Sequence, residues 1–152
     1  MMAVSVNKSS IRNKLIKARE GIINSIIQEL AFIGEECVRI ARQKGNYNDI
    51  TGNLRSSIAY VVLRDGETVI NGSIEDFRKN IKSEVNGIDE GQKLLEKLKT
   101  QFPSGLVLIV CAGMNYAYYV EYVHDRDVLA SSKLVAESMM KDLKRRIRQN
   151  QV

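Results

Sequence analysis

The chain of 152 residues contains one histidine, so any nucleophile–base pair must use His124. Cys111 is a conceivable nucleophile beside it, because such groups need to be close only in the fold and not in the sequence. There is no Gly-x-Ser-x-Gly elbow, and there is no glycine-rich phosphate loop of the Walker or dinucleotide-binding type. A lone histidine is usually a surface or hydrogen-bonded residue. The sequence therefore predicts no catalytic residues and no enzyme.

Metal ligands are equally sparse. Two cysteines and one histidine fall short of the roughly four ligands of a structural zinc site. Asp125 and Asp127 lack the further oxygens that a calcium loop supplies. We predict no metal and no cofactor, and we interpret Cys37 and Cys111 as buried free thiols in a reducing compartment. A disulfide between them is an alternative that no sequence feature supports.

The basic residues are concentrated near the two ends of the chain. Residues 1–19 carry a net charge of +5 and residues 141–148 carry +4, which leaves −4 for the remainder of a chain whose net charge is +5. Such clusters could face nucleic acid or an acidic protein surface. They could equally be solvated helix faces, with favourable charge at a C-terminal helix end. The cluster Tyr116, Tyr118, Tyr119 and Tyr122 could stack on bases, although packing in a core or a protein interface is the commoner use of tyrosine.

These residues are placed by a recognisable series of elements. Apolar residues at a helical period predict one long helix over 9–43, with Ser9 or Ser10 as its N-cap. Residues 58–63 and 67–70 read as a hairpin around Asp65-Gly66. Residues 106–112 are the most apolar run and predict a central strand buried on both faces. A final helix extends to about residue 148. No apolar run approaches the roughly 20 residues that span a bilayer.

We therefore predict a single α+β domain over residues 1–152. Its long N-terminal helix and its C-terminal helix pack on a three- to four-stranded antiparallel sheet. The charge-balanced stretch 72–101, with a short helix from about 89 to 100, is predicted to be a peripheral excursion between strands. The first helix is roughly 50 Å long against strands of about 20 Å, so its apolar stripe exceeds what the sheet can cover. Either the C-terminal helix or a neighbouring subunit must cover the excess. We expect the apolar residues that stay exposed in one chain to cluster on this helix as a candidate interface, among Ile16, Ile23, Ile27 and Leu30.

Two segments carry a resemblance to a known family. Residues 51–58 read TGNLRSSI before a strand, and residues 113–129 read GMNYAYYVEYVHDRDVL before the final helix. In this order, the chain resembles the neck and tail-component family of long-tailed bacteriophages and prophages. The chain departs from the family after Glu121, because residues 122–126 lack the usual glycine. The matching positions are Thr51, Gly52, Leu54, Arg55, Ser57, Tyr119, Val120 and Glu121.

The resemblance implies a structural protein of the head–tail connection, a neck or tail-completion component that forms a homo-oligomeric ring. It would contact other phage neck and tail proteins, and DNA would pass through its channel without sequence-specific binding. It would be located in the host cytoplasm during assembly and then at the head–tail junction of the virion. No cofactor and no membrane are implied. The alternative function is a small basic nucleic-acid-binding protein, whose affinity for DNA would fall steeply with salt.

The matching positions also have a physical interpretation. Thr51 would cap a turn, Gly52 would permit a positive φ, and Leu54 would enter the core. Arg55 is predicted to reach Glu121 and join the two segments by an ion pair.

Overall fold

A computed structural model describes residues 7–79, 84–124 and 126–149, so Asp125 lies outside the described residues. The elements are α1 Lys8–Lys44, α2 Asn53–Ser56, β1 Ile58–Arg64, β2 Glu67–Asn71, α3 Gly87–Lys99, β3 Leu106–Ala112, α4 Ala117–Tyr122 and α5 Ala130–Arg148. They confirm the predicted class: a long N-terminal helix and a C-terminal helix accompany a three-stranded antiparallel sheet of order β2-β1-β3.

Helix α1 begins at Lys8, two or three residues earlier than a cap at Ser9 or Ser10 would place it. The side-chain oxygen of Asn7 accepts hydrogen bonds from the backbone N–H groups of Ser9 and Ser10, at 3.1 and 3.2 Å. Asn7 is therefore the N-cap, and the prediction of a serine cap is wrong. Asparagine and serine cap helices about equally well, so the sequence alone could not choose between them.

The central strand is β1, which pairs with β2 on one side and β3 on the other. The prediction that 106–112 is the central strand is therefore wrong. Strand β3 is apolar on both faces because helices cover both: Leu108 faces the core beneath α1, while Ile109 faces a second core beneath α3. An apolar strand sequence indicates that other elements cover both faces of the strand. It does not indicate whether a second strand pairs with each of its two edges.

Helix α3 covers the second face of the sheet. Leu95 packs there with Val61 and Leu63 of β1 and with Ile109 and Cys111 of β3. The segment 72–101 does connect β2 to β3, but its helical part forms one of three layers and is not peripheral. The balanced charges of α3 lie on its solvent side. The charge composition of the segment therefore did not indicate that the other side of the helix is buried.

The predicted interface residues of α1 divide into two groups. Ile27 and Leu30 are 6% and 3% exposed and belong to the core, so the prediction is wrong for them. Ile23 is half-buried, and Ile16 is 49% exposed. The helix leaves the sheet near Glu20, whose carboxylate binds the Arg64 guanidinium at 2.8 Å at the end of β1. Residues before Glu20 therefore extend past the end of the sheet.

Candidate assembly surfaces and the geometry of the two matching segments

The segment 51–58 forms a tight turn and the one-turn helix α2. Gly52 has a φ of +79° and Leu54 is 1% exposed, as predicted for both. The hydroxyl of Thr51 accepts from the Asn53 N–H at 3.3 Å. The Asp49 carboxylate adds the stronger cap, since it accepts from the backbone N–H of Arg55 at 2.9 Å. Sequence analysis missed this role of Asp49, although an acid just before a Thr-Gly turn is a recognisable capping signal.

The predicted ion pair between Arg55 and Glu121 is not formed among the residues that the structure describes. The Arg55 guanidinium lies over the ring of Tyr47, 5.6 Å from its centroid. The Glu121 carboxylate instead accepts from the backbone N–H of Leu129 at 3.3 Å. Complementary charge alone could not reveal that an aromatic ring and a backbone donor are nearer partners.

Ser57 joins the two segments in place of that ion pair. Its backbone carbonyl accepts from the Gly113 N–H at 3.1 Å, and its hydroxyl accepts from the Met114 N–H at 3.3 Å. The same hydroxyl donates to the Leu54 carbonyl at 2.8 Å. Ser57 is fully buried, so the start of the second segment is fixed to the first through backbone groups. The segment 51–58 and the start of the segment 113–129 thus form one structural unit.

The two residues that could have formed a nucleophile–base pair are in different environments. The Cys111 thiol is buried against α3 and donates weakly to the Gly91 carbonyl at 4.0 Å. Burial raises the pKa of this thiol to about 12, so it is protonated and unreactive at neutral pH. The His124 ring instead packs edge-on against Tyr119, with 4.8 Å between the ring centroids.

Within the described ranges 7–79, 84–124 and 126–149, no group of three or more histidine, cysteine, aspartate or glutamate residues is placed to hold a metal ion. None of the helices there combines the length and apolar character needed to span a bilayer.

Helix α4 presents a surface that we call the tyrosine patch, consisting of Tyr118, Tyr119, Tyr122 and Val123. Tyr118 and Tyr122 are each 70% exposed and stack with 4.5 Å between ring centroids. Val120, by contrast, is half-buried against the main core. The patch is therefore exposed surface and not core.

The first fifteen residues of α1 form a second exposed surface, which we call the arm (residues 8–22). Ile11, Leu15 and Ile22 are 47%, 66% and 50% exposed, and their spacing of four and seven residues places them on one stripe. Within α1, this stripe continues into the side that α5 covers further along the helix. The arm thus carries an apolar face for which the described part of the same chain supplies no cover.

Helix α5 runs antiparallel to α1 and points its basic end toward the arm. The Ser132 hydroxyl donates to the Cys37 carbonyl at 3.0 Å, and the Arg146 guanidinium binds the Glu29 carboxylate at 2.7 Å. Because Glu29 precedes Cys37 in α1, the last turn of α5 lies nearest the arm. The two basic clusters of the sequence therefore lie at the same end of the molecule.

An apolar groove of about 500 Å³ separates the free edge of β3 from α5. Helix α5 packs on α1 and not on β3, which leaves the groove open between α5 and β3. Leu30 and Cys37 of α1 form the floor of the groove. A single charged side chain, Lys133, is among the lining residues. The remaining lining residues are Leu106, Val107, Leu108, Val110, Leu129, Ser132, Ala136 and Met140.

Comparisons of the chain with models of known protein families, with curated proteins and with solved structures gave no match.

Proposed function

We propose that this chain is a structural protein of the head–tail connection of a long-tailed bacteriophage or prophage, acting as a neck or tail-completion component within a homo-oligomeric ring. The observation that carries the proposal is the arm. A monomer that functions alone has little reason to leave Ile11, Leu15 and Ile22 about half exposed on one stripe, since apolar patches of this kind mark interaction sites.

The geometry of the two matching segments supports the same proposal. Ser57 fixes the second segment to the first by backbone hydrogen bonds, and Leu54 anchors the first in the core. These are architectural roles, which suit a component selected for shape and contact. The tyrosine patch offers a further surface of the type found at protein interfaces, where tyrosine is enriched.

The proposal is tested in an inducible phage or prophage that encodes this chain. Without its gene, we expect filled capsids and complete tails to accumulate unjoined in electron micrographs. The wild-type gene supplied in trans should restore joined particles, and mass spectrometry should find the protein in them. Normal joined virions in the absence of the gene would contradict the proposal.

A second candidate function, nucleic-acid binding, is favoured by the position of the basic clusters. The arm contains five lysines and arginines before its first acid, Glu20, and α5 brings Lys144 and Arg148 to the same end. A polyanion could contact both clusters together. If the chain binds nucleic acid, it should retard duplex DNA in a gel-shift assay, with an affinity that falls steeply as the salt concentration rises. The double variant Lys14→Glu with Lys17→Glu should reduce the slope of log affinity against log salt concentration. A shift that is absent at low salt would exclude this function.

A further inference from the structure

The arm and the groove are two apolar surfaces that cannot cover each other within one chain. The arm is continuous with the rest of α1 and leaves the body at Glu20, which is held at the end of β1 by Arg64. The groove begins beside Leu30, ten residues further along the same helix. A straight helix cannot fold back onto its own flank, so both surfaces require another molecule.

The charges around these surfaces oppose one arrangement and favour another. Two arms packed together would bring ten cations side by side, and the nearest acid in each arm is Glu20. The groove is less cationic than a second arm, because Lys133 is the one charged residue among the described residues that line it. Two carboxylates are bound beside its lining: Glu121 accepts from the N–H of Leu129, a lining residue, and Asp65 accepts from the Gly105 N–H at 2.9 Å, next to the lining residue Leu106.

Most cations of the arm lie outside its apolar stripe. At 100° per residue, Arg12 and Arg19 flank the stripe on one side and Lys14 flanks it on the other, while Lys17 lies on the opposite side of the helix. Lys8, the first residue of the helix, lies on the same side as the stripe. The stripe can therefore enter the groove with four of the five cations at its borders or in solvent.

We infer that the arm of one copy binds in the groove between β3 and α5 of the next copy. The contact is heterologous, because each copy uses its arm on one neighbour and its groove on the other, and repetition of it generates a ring or a chain. This inference deepens the proposed ring function by naming the surfaces that close it. The contact involves only the arm of one copy and the groove of the next. It can therefore be tested on purified protein, without a virion.

The dimensions of the two surfaces agree. Fifteen helical residues are about 22 Å long, and the seven residues of β3 are about 23 Å long. A half-buried helix of this length and about 10 Å diameter buries on the order of 700 Å² in total, which is below the roughly 1,200–2,000 Å² of stable pairs. A single contact should be weak and concentration-dependent, and closure of a ring should strengthen it.

The first test measures the mass of the purified protein by light scattering across a concentration series. We expect oligomers that grow with concentration, and we expect Leu15→Glu in the arm or Ala136→Glu in the groove to weaken association about 10-fold or more. Each variant retains one intact surface, so a mixture of the two should form heterodimers and stop there. Leu134→Glu is the matched control, because Leu134 is 68% exposed on the side of α5 away from the groove. Circular dichroism confirms that each variant is folded.

The second test uses proximity and does not require a stable oligomer. Leu15→Cys protein is mixed with Ala136→Cys protein under mild oxidation, where the buried native thiols Cys37 and Cys111 should not compete. We expect a covalent heterodimer, and little product when Leu134→Cys replaces Ala136→Cys. Three results would overturn the inference: no cross-link at any soluble concentration, arm-to-arm dimers of Leu15→Cys as the main product, or equal cross-linking to the Leu134 position. Failure here would leave the virion experiment above unaffected.

Discussion

Replacing Gly91 in α3 with alanine tests whether α3 is an integral layer of the fold. A Cβ at Gly91 would lie 2.6 Å from the Ser57 carbonyl oxygen, well inside van der Waals contact. The helix is confined on another side as well, because a Cβ at Gly113 would lie 2.3 Å from the Gly91 nitrogen. Both neighbours are backbone atoms, and the Ser57 carbonyl is itself held by the Gly113 N–H. The strain therefore cannot be relieved by a side-chain rotation.

The expected magnitude follows from two opposing terms. Alanine is favoured over glycine inside a helix by about 1 kcal/mol. Overpacking against a fixed backbone costs about 1–3 kcal/mol and sometimes more, and here α3 must move by most of an ångström. We expect Gly91→Ala to destabilise the protein by about 2 kcal/mol, which corresponds to a fall in Tm of about 4–8 °C for a chain of this size.

Gly21→Ala is the matched control, because it makes the same chemical change in another helix. Apart from its chain neighbours and the backbone of its own helix, no atom of the described residues lies within 4 Å of a Cβ at Gly21. Only the propensity term remains, so this variant should be more stable than wild type by up to about 1 kcal/mol. Urea and thermal unfolding followed by circular dichroism measure both variants. If Gly91→Ala is as stable as Gly21→Ala, α3 does not pack on the 51–58 segment and the assignment of three layers is wrong.

Three further outcomes follow from buried or paired groups. Arg42→Met should lower the free energy of unfolding in urea by about 3 kcal/mol, because the buried guanidinium donates to the Ile58 carbonyl at 2.8 Å. Its ion-pair partner Glu75 is exposed, so Glu75→Gln should lower it by less than about 1 kcal/mol, and equal effects of the two variants would contradict this. The Cys111 thiol should react with an aromatic disulfide reagent only as the protein unfolds, since burial raises its pKa, and rapid labelling of the native protein would count against it. The hydrogen bond from Arg146 lowers the pKa of Glu29 in the folded protein. The pair therefore stabilises the fold at pH values above the pKa of the unfolded carboxyl, and this stabilisation is lost as the pH falls through the pKa of the folded carboxyl. The Tm of Glu29→Gln should fall less on acidification than the Tm of wild type, and parallel Tm curves would refute the linkage.

Most of the fold could be predicted from periodicity and turn chemistry. The apolar period of α1 is long and regular, and Asp65-Gly66 forms the expected hairpin turn, with φ values of +50° and +83°. The neighbour order of the strands could not be predicted from burial. Strand β3 is covered on both faces yet has a free edge, and an apolar run records only the first of these facts.

The sequence predicted the conformation and burial of individual residues in the two matching segments, but it did not predict the hydrogen bonds that join the segments. Gly52 and Leu54 have the conformation and burial expected of them. The link between the two segments uses the carbonyl and hydroxyl of Ser57, and a backbone carbonyl has no sequence signature. The pairing of Arg55 with Glu121 failed because charge signs give no distance, and the ring of Tyr47 is nearer to the guanidinium.

Helix α1 connects the surfaces that the proposed assembly would use. Its 37 residues extend about 55 Å, from the arm at the N-terminus to the region where Arg42 binds the start of β1. The groove lies along its middle, and the tyrosine patch follows β3 on α4, toward the α1 end that is remote from the arm. If neighbouring copies meet through arm and groove, that contact uses one end and the middle of each α1. The tyrosine patch then remains exposed at the opposite end, where the proposed neck function would place the contact with a different protein.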